Sequence, residues 1–412
     1  MGRKSIFLVV VLFWCGCSAA VDNLVCTDAF CRTYREENGC PVIALPCRAK
    51  NSTHSGRLFP SPVPCGCCET CIEDLELDSD CTIGSPGAAI PLARCGPGLY
   101  CTLEEEEEHP TCQIITATSC MIEQISYDNN RENTGLIGHL MQRTLCDEYG
   151  DFAPIKCIPG QICYCVDKAG ERIFGESLNF RGIENVMKCE CSRKEAALER
   201  VLGTDMRIPF VRCDEMGSYD RLQCIGDRCL CVDIHSGFST SGVVNITLHG
   251  LQTLPCFNES GYGNETYVRS CEETKTVLVQ KLYTMAKMGL YSANETKLPE
   301  ICQPDGYYAR IQQNDTYKFC ADKFGEPIQN YAATKNSTEA ENMTCNCARV
   351  ELLLKQKKAL EIPICCPNGN YPSLHCRRGL CYCIDENGNQ ISLEKPHEEI
   401  EELECYNDGQ FC

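Results

Sequence analysis

The chain of 412 residues has one tryptophan, and aromatic residues make up only 8% of it. That tryptophan, Trp14, lies in an N-terminal apolar run, so the rest of the chain must build its core without one. Long apolar stretches are missing too. The longest run, Ile6 to Trp14, is shorter than the ~20 residues a bilayer-spanning helix needs, so no membrane span is expected. Positive charge is scarce: 38 Lys and Arg stand against 57 Asp and Glu, a formal net charge of −19. That balance disfavours nucleic acid and anionic membrane surfaces as partners. The motifs of common catalytic sites are absent, among them Gly-x-Ser-x-Gly, His-Glu-x-x-His and the phosphate-binding Gly-x-x-x-x-Gly-Lys. The seven histidines are scattered. His139, His235 and His375 read as exposed and solvated. An enzyme, a cofactor and a metal site are therefore not expected.

Cysteine is what the chain has in abundance, with 38 copies. Arg3 and Lys4, the apolar run and the small residues Ser18-Ala19-Ala20 read as a secretory signal peptide, 1–20, cleaved after Ala20. Cleavage removes Cys15 and Cys17, leaves an even number, and moves the net charge from −19 to about −21. Dense, even cysteine in a secreted chain predicts a disulfide framework. Oxidation removes the thiolates that a CxxC such as Cys68–Cys71 would need to hold zinc. Eight Asn-x-Ser/Thr sequons, at Asn51, Asn245, Asn258, Asn264, Asn294, Asn314, Asn336 and Asn342, mark exposed loops. The acidic run Glu104 to Glu108 reads as a solvated loop rather than a calcium site.

The cysteines recur in a frame. Cys163-Tyr164-Cys165-Val166-Asp167, Cys229-Leu230-Cys231-Val232-Asp233 and Cys381-Tyr382-Cys383-Ile384-Asp385 are three copies. A fourth, Lys318-Phe319-Cys320-Ala321-Asp322, has lost a cysteine. Such self-similarity means tandem modules. Helices are expected over Glu195–Leu202, Thr274–Met288 and Ala348–Leu360. Their apolar stripes (Leu198, Val201 and Leu202; Leu278, Leu282 and Met285; Val350, Leu353 and Leu354) are expected to be core.

Ahead of the repeats, Cys65-Gly66-Cys67-Cys68-Glu69-Thr70-Cys71 and Cys95-Gly96-Pro97-Gly98-Leu99-Tyr100-Cys101 lie among twelve cysteines between Cys26 and Cys112. Residues 21–112 resemble the N-terminal domain of insulin-like growth factor-binding proteins. The frame from Cys120 onward looks like the thyroglobulin type-1 module, with modules at 120–189, 191–256, 271–345 (degenerate) and 347–412, and a glycosylated linker at 257–270 acting as a hinge between two tight pairs. The resemblance implies small disulfide-rich modules of low secondary-structure content, with one short helix and a few short strands in each.

It also implies pairing of first with second, third with fourth and fifth with sixth cysteine. That gives Cys120–Cys146, Cys157–Cys163 and Cys165–Cys189, then Cys191–Cys213, Cys224–Cys229 and Cys231–Cys256. In the third module Gln313 and Lys318 replace both halves of one bridge, leaving Cys271–Cys302 and Cys320–Cys345. In the fourth, the spacing to Gly369 and Tyr371 marks Cys365 as the partner of Cys347, with Cys376–Cys381 and Cys383–Cys405. Parity then joins Cys366 to Cys412.

Some modules of this kind inhibit papain-like cysteine proteases with rigid loops, and the resemblance implies matching loops here. In the second module they are Gly203 to Phe210 (with Thr204, Asp205 and Met206 at the tip), Ile225 to Arg228 (Gly226, Asp227) and Ile234 to Gly237 (Ser236). In the first they are Gly135 to His139 (Leu136, Ile137, Gly138), Ile158 to Ile162 and Lys168 to Gly170. The alternative that the head implies is capture of an insulin-like peptide by an apolar patch near Leu99 and Tyr100. An acidic, glycosylated extracellular-matrix protein is a further alternative.

Overall fold

The computed structural model describes residues 28–48, 56–61, 63, 66–83, 91–103, 109–115, 118–135, 138–202, 211–257, 267–288, 301–359, 361–407 and 411–412. The signal peptide, the run Glu104 to Glu108, and the sequons at Asn51, Asn258, Asn264 and Asn294 lie outside these. Among the described residues no helix is long and apolar enough to cross a membrane.

Seventeen disulfides are described. Five of them hold the head, which has a helix at Asp28–Asn38, a three-stranded sheet (Gly56–Pro60, Glu69–Leu75, Ala93–Cys95) and a hairpin (Leu99–Thr102 with Thr111–Ile114). The sulfurs of Cys81, Cys95 and Cys112 converge. All three are in disulfides and offer no thiolate to a metal.

Four units of one plan follow. Each has a helix (Ser119–Thr134, Glu190–Leu202, Ser270–Lys287 and Asn346–Gln356) and then a three-stranded antiparallel sheet. The first helix starts where the Thr118 hydroxyl accepts from Met121 N–H and stops at Gly135, which takes the left-handed conformation (φ 63°). Each of the three expected helices begins upstream of its expected bounds, because the unit's first cysteine sits in its first turn. Apolar spacing does not register a turn that is anchored by sulfur.

The expected stripes are core only in part: Leu278, Met285 and Leu353 are half-buried. Val350 and Leu354 are buried, but Val201 is 81% exposed and Leu198 sits at the surface. The second unit's helix is instead held by Cys191–Cys213 and by Arg193.

The Asp that follows each Cys-x-Cys closes a turn. Asp167 Oδ1 accepts from Ala169 and Glu171 N–H, and Asp385 Oδ1 accepts from Asn387 and Asn389 N–H. Each turn lays a glycine against an aromatic ring. A Cβ on Gly237 (φ 70°) would lie 2.7 Å from Tyr219 Cζ, and Gly388 stands likewise on Tyr371.

The units are not beads on a hinge. Arg193 donates to the carbonyls of Val166 (2.9 Å) and Phe152 (2.6 Å), which ties the second helix to the first sheet. Arg349 does the same between the fourth and third units, at Ala321 (2.5 Å) and Tyr308 (2.9 Å). The two pairs then close on each other. First and fourth units share one core, in which Phe152, Ile158, Ile162 and Tyr164 meet Val350, Leu354, Tyr371 and Tyr382. Each such side chain contributes ~1.5–3 kcal/mol on burial. Second and third meet where Cys213 N–H donates to Pro304 O (3.2 Å) and Arg212 pairs with Glu272. The linker joins this contact. Phe257 and Tyr267 pack on the second unit's core, Arg212 stacks on Tyr267, and Ser270 begins a helix. The result is a closed ring of four units, with the head docked on the first through Arg94, which lies over Phe59 and donates to Tyr149 Oη (2.8 Å).

Candidate functional site

The second unit presents the nominated loop most openly. Strands Leu222–Ile225 and Arg228–Cys231 pair in a hairpin whose two-residue turn is Gly226-Asp227, with Gly226 at φ 61°. Cys224–Cys229 clamps the hairpin at this end. Ile225 is 76% exposed, and Gly226, Asp227 and Arg228 are exposed beside it. A third strand, Val244–Asn245, supports the tip: Asn245 Nδ2 donates to Asp227 Oδ2 (2.7 Å), and Ile246 N–H donates to Asp227 O (2.8 Å). Asn245 Oδ1 meanwhile caps the next short helix through Thr247 and Leu248 N–H. The tip is therefore both exposed and fixed.

The other nominated residues are not gathered around it. Ser236 is exposed and bonded to Asp233, but it lies beyond the far end of strand Arg228–Cys231. Five residue steps of extended chain lead from Asp227 to Val232, on the order of 16 Å. The loop Gly203 to Phe210, with Thr204, Asp205 and Met206, lies outside the described residues.

In the first unit Leu136 and Ile137 are also outside them, Gly135 caps the helix, and the rest of the loop is occupied. Gly138 packs against the Gln390 side chain. His139 N–H donates to Glu394 Oε1 (2.6 Å) and Leu140 N–H to Gln390 Oε1 (2.9 Å). The fourth unit thus covers this loop. Nothing in the sequence marked Gln390 or Glu394, because side chains that bind another unit's backbone leave no local pattern.

In the head, Leu99 is half-buried opposite Ile114, which is 51% exposed, and Tyr100 is 47% exposed opposite Gln113. Of the described sequons, Asn314, Asn336 and Asn342 are exposed and Asn245 is half-buried. His139 and His235 are exposed. His375 is half-buried against Tyr382, and burial lowers its pKa.

Charge is concentrated where units meet. Burial would raise the Glu176 carboxyl, but the guanidiniums of Arg310, Arg172 and Arg349 outweigh it and bring it to about 2. At Asp214 and Asp305 burial outweighs the backbone hydrogen bonds, and at Asp305 also Arg349 and Arg212, and lifts both to about 6.

Three segments, 131–181, 189–246 and 338–405, match the family model described as the thyroglobulin type-1 repeat. Human thyroglobulin is 23% identical over 186 residues, which is 44% of this chain and 6% of thyroglobulin. Bovine thyroglobulin is 28% identical over 93 residues, 21% of this chain and 3% of that protein. U20-hexatoxin-Hi1a of Hadronyche infensa is 28% identical over 102 residues, 24% of this chain. The chain spans 66% of the toxin's length. The matches fall largely on the first, second and fourth helix–sheet units, and the chain therefore carries thyroglobulin type-1 repeats.

Proposed function

We propose that this is a secreted, non-enzymatic binding protein that inhibits papain-like cysteine proteases, with the second unit as the docking element. We read the third unit as a degenerate thyroglobulin type-1 module and residues 21–112 as a domain like that of insulin-like growth factor-binding proteins. The observation that carries the inhibitor reading is the second unit's tip: Ile225 is exposed on a turn held by Cys224–Cys229 and by Asn245. A segment fixed before it meets its target loses little conformational entropy on binding. Seventeen bridges fit an oxidising compartment. Titrating the full-length protein into a papain-like protease tests the reading. Stoichiometric loss of activity, weakened at least tenfold by Ile225→Asp, supports it; full activity at saturating protein rejects it.

Insulin-like peptide capture is the second reading, favoured by the exposure of Tyr100 and Ile114 on one hairpin of the head. Retention of such a peptide by the wild-type chain, lost on Tyr100→Asp, would select it.

A further inference from the structure

Asn245 holds the second unit's tip with both atoms of its amide. It is also the acceptor of an Asn-Ile-Thr sequon, and of the described sequons it is the one in this unit. Oligosaccharide attaches at Nδ2, the atom that lies 2.7 Å from Asp227 Oδ2. An occupied sequon therefore sets its first sugar against the tip.

The strand ladder fixes the face on which that sugar stands. Arg228 pairs with Ile225 on one side and with Asn245 on the other. Residues directly opposite each other in a sheet point to the same face, so Ile225, Arg228 and Asn245 form one row across it. Two strand spacings separate the ends of the row, about 10 Å. A branched oligosaccharide on Asn245 reaches across it and covers Ile225. There is room for the sugar, since Asp227, Thr247 and Leu248 are exposed. The fold need not change. Transfer joins Nδ2 to the anomeric carbon of a lipid-linked oligosaccharide and breaks that carbon's bond to pyrophosphate. The lipid pyrophosphate leaves with the electron pair, and Nδ2 gives up one proton. Its second hydrogen remains for Asp227, and Oδ1 still accepts from the N–H groups of Thr247 and Leu248.

We propose that Asn245 is a glycosylation site that regulates docking: the oligosaccharide shields Ile225 and weakens protease binding, and a bare Asn245 leaves the tip at full strength. This rests on the reading of the second unit as the docking element. The two forms differ in access alone, because the hairpin is held by the same hydrogen bonds and the same bridge, Cys224–Cys229, in both.

Full-length protein secreted from a eukaryotic host tests it, as wild type, Thr247→Ala and Thr247→Ser. Thr247→Ala destroys the sequon and keeps the backbone N–H that bonds Asn245 Oδ1; Thr247→Ser keeps both. Glycopeptide mass spectrometry is expected to find Asn245 occupied in wild type and Thr247→Ser, and bare in Thr247→Ala. In titrations against papain, Thr247→Ala should inhibit at least tenfold more tightly than the other two. A bare Asn245 in the wild type overturns the proposal. So does equal inhibition by wild type and Thr247→Ala, or a gain that Thr247→Ser shares. If none of the three inhibits, the docking reading itself fails and takes this proposal with it.

Discussion

Glu176→Gln is the sharpest test of ring closure. Glu176 stands on strand Arg172–Leu178 of the first unit and faces Arg310 of the third, so it joins two units that the chain separates by more than a hundred residues. Glutamine keeps the shape and removes the charge. The drop of the carboxyl from 4.5 to about 2 measures how much the folded state favours the charged form. At ~1.36 kcal/mol per pH unit this is ~3 kcal/mol. Breaking a buried ion pair from one side gives a similar figure, ~3–5 kcal/mol, since Arg172 and Arg310 would keep their charges with no counterion. The pH dependence comes from the direction. A carboxyl lowered by folding contributes fully above its unfolded value of 4.5, and the contribution is lost as pH falls to about 2. Denaturant unfolding of wild type and Glu176→Gln should therefore differ by ~3 kcal/mol at pH 7, converge below pH 4.5, and coincide near pH 2. Equal stabilities at pH 7, or a deficit that persists unchanged to pH 2, would refute the assignment of this junction.

Asp305 predicts the opposite sign. Burial raises it from 3.8 to about 6, so its charge costs stability above that range. Asp305→Asn, which keeps the acceptor for Tyr307 N–H, should raise stability by ~3 kcal/mol at pH 7.4 and change nothing near pH 4; destabilisation at pH 7.4 would count against it. Gly237→Ala should cost about 2–4 kcal/mol in thermal unfolding of the full chain, since the new Cβ meets the Tyr219 ring. Gly226→Ala, equally left-handed but with open space around it, should cost only about 1–2 kcal/mol, and equal losses would contradict the ring contact. Replacing Cys366 and Cys412 together by serine opens a bridge between residues 46 apart, worth ~4 kcal/mol by loop-closure entropy. Carboxypeptidase should then trim the tail past Phe411; resistance equal to wild type would mean the bridge does not hold it.

The sulfur framework was the legible part of this molecule. Cys347 bonds Cys365 and Cys366 bonds Cys412, although the two candidates are adjacent, because Gly369 and Tyr371 count the register from the correct one. The third unit has Gln313 opposite Lys318 where its relatives have a bridge, and its strands pair there all the same. Periodicity was a weaker guide. It places Val201 on an apolar face but cannot say whether anything covers that face, and nothing does among the described residues. Least legible were contacts between units. Glu176 with Arg310, Asn389 with Tyr164 and Gln390 with Leu140 join distant stretches, and neither partner is unusual in its own neighbourhood.

Those same contacts decide which loops remain for a partner. A row of independent modules would offer the equivalent loop of each repeat. Closure withdraws the first unit's, since Gln390 and Glu394 already satisfy the backbone N–H groups of His139 and Leu140 and Leu140 packs into the shared core. A protease reaching that segment would have to break both hydrogen bonds and expose part of the core. Among the described residues the second unit's tip faces no such competition, because its partners, Asn245 and Ile246, belong to its own sheet and short helix and leave Ile225 exposed. The ring thus makes units of one plan differ in what they expose. It uses the first and fourth against each other and leaves the second unit's Ile225 exposed.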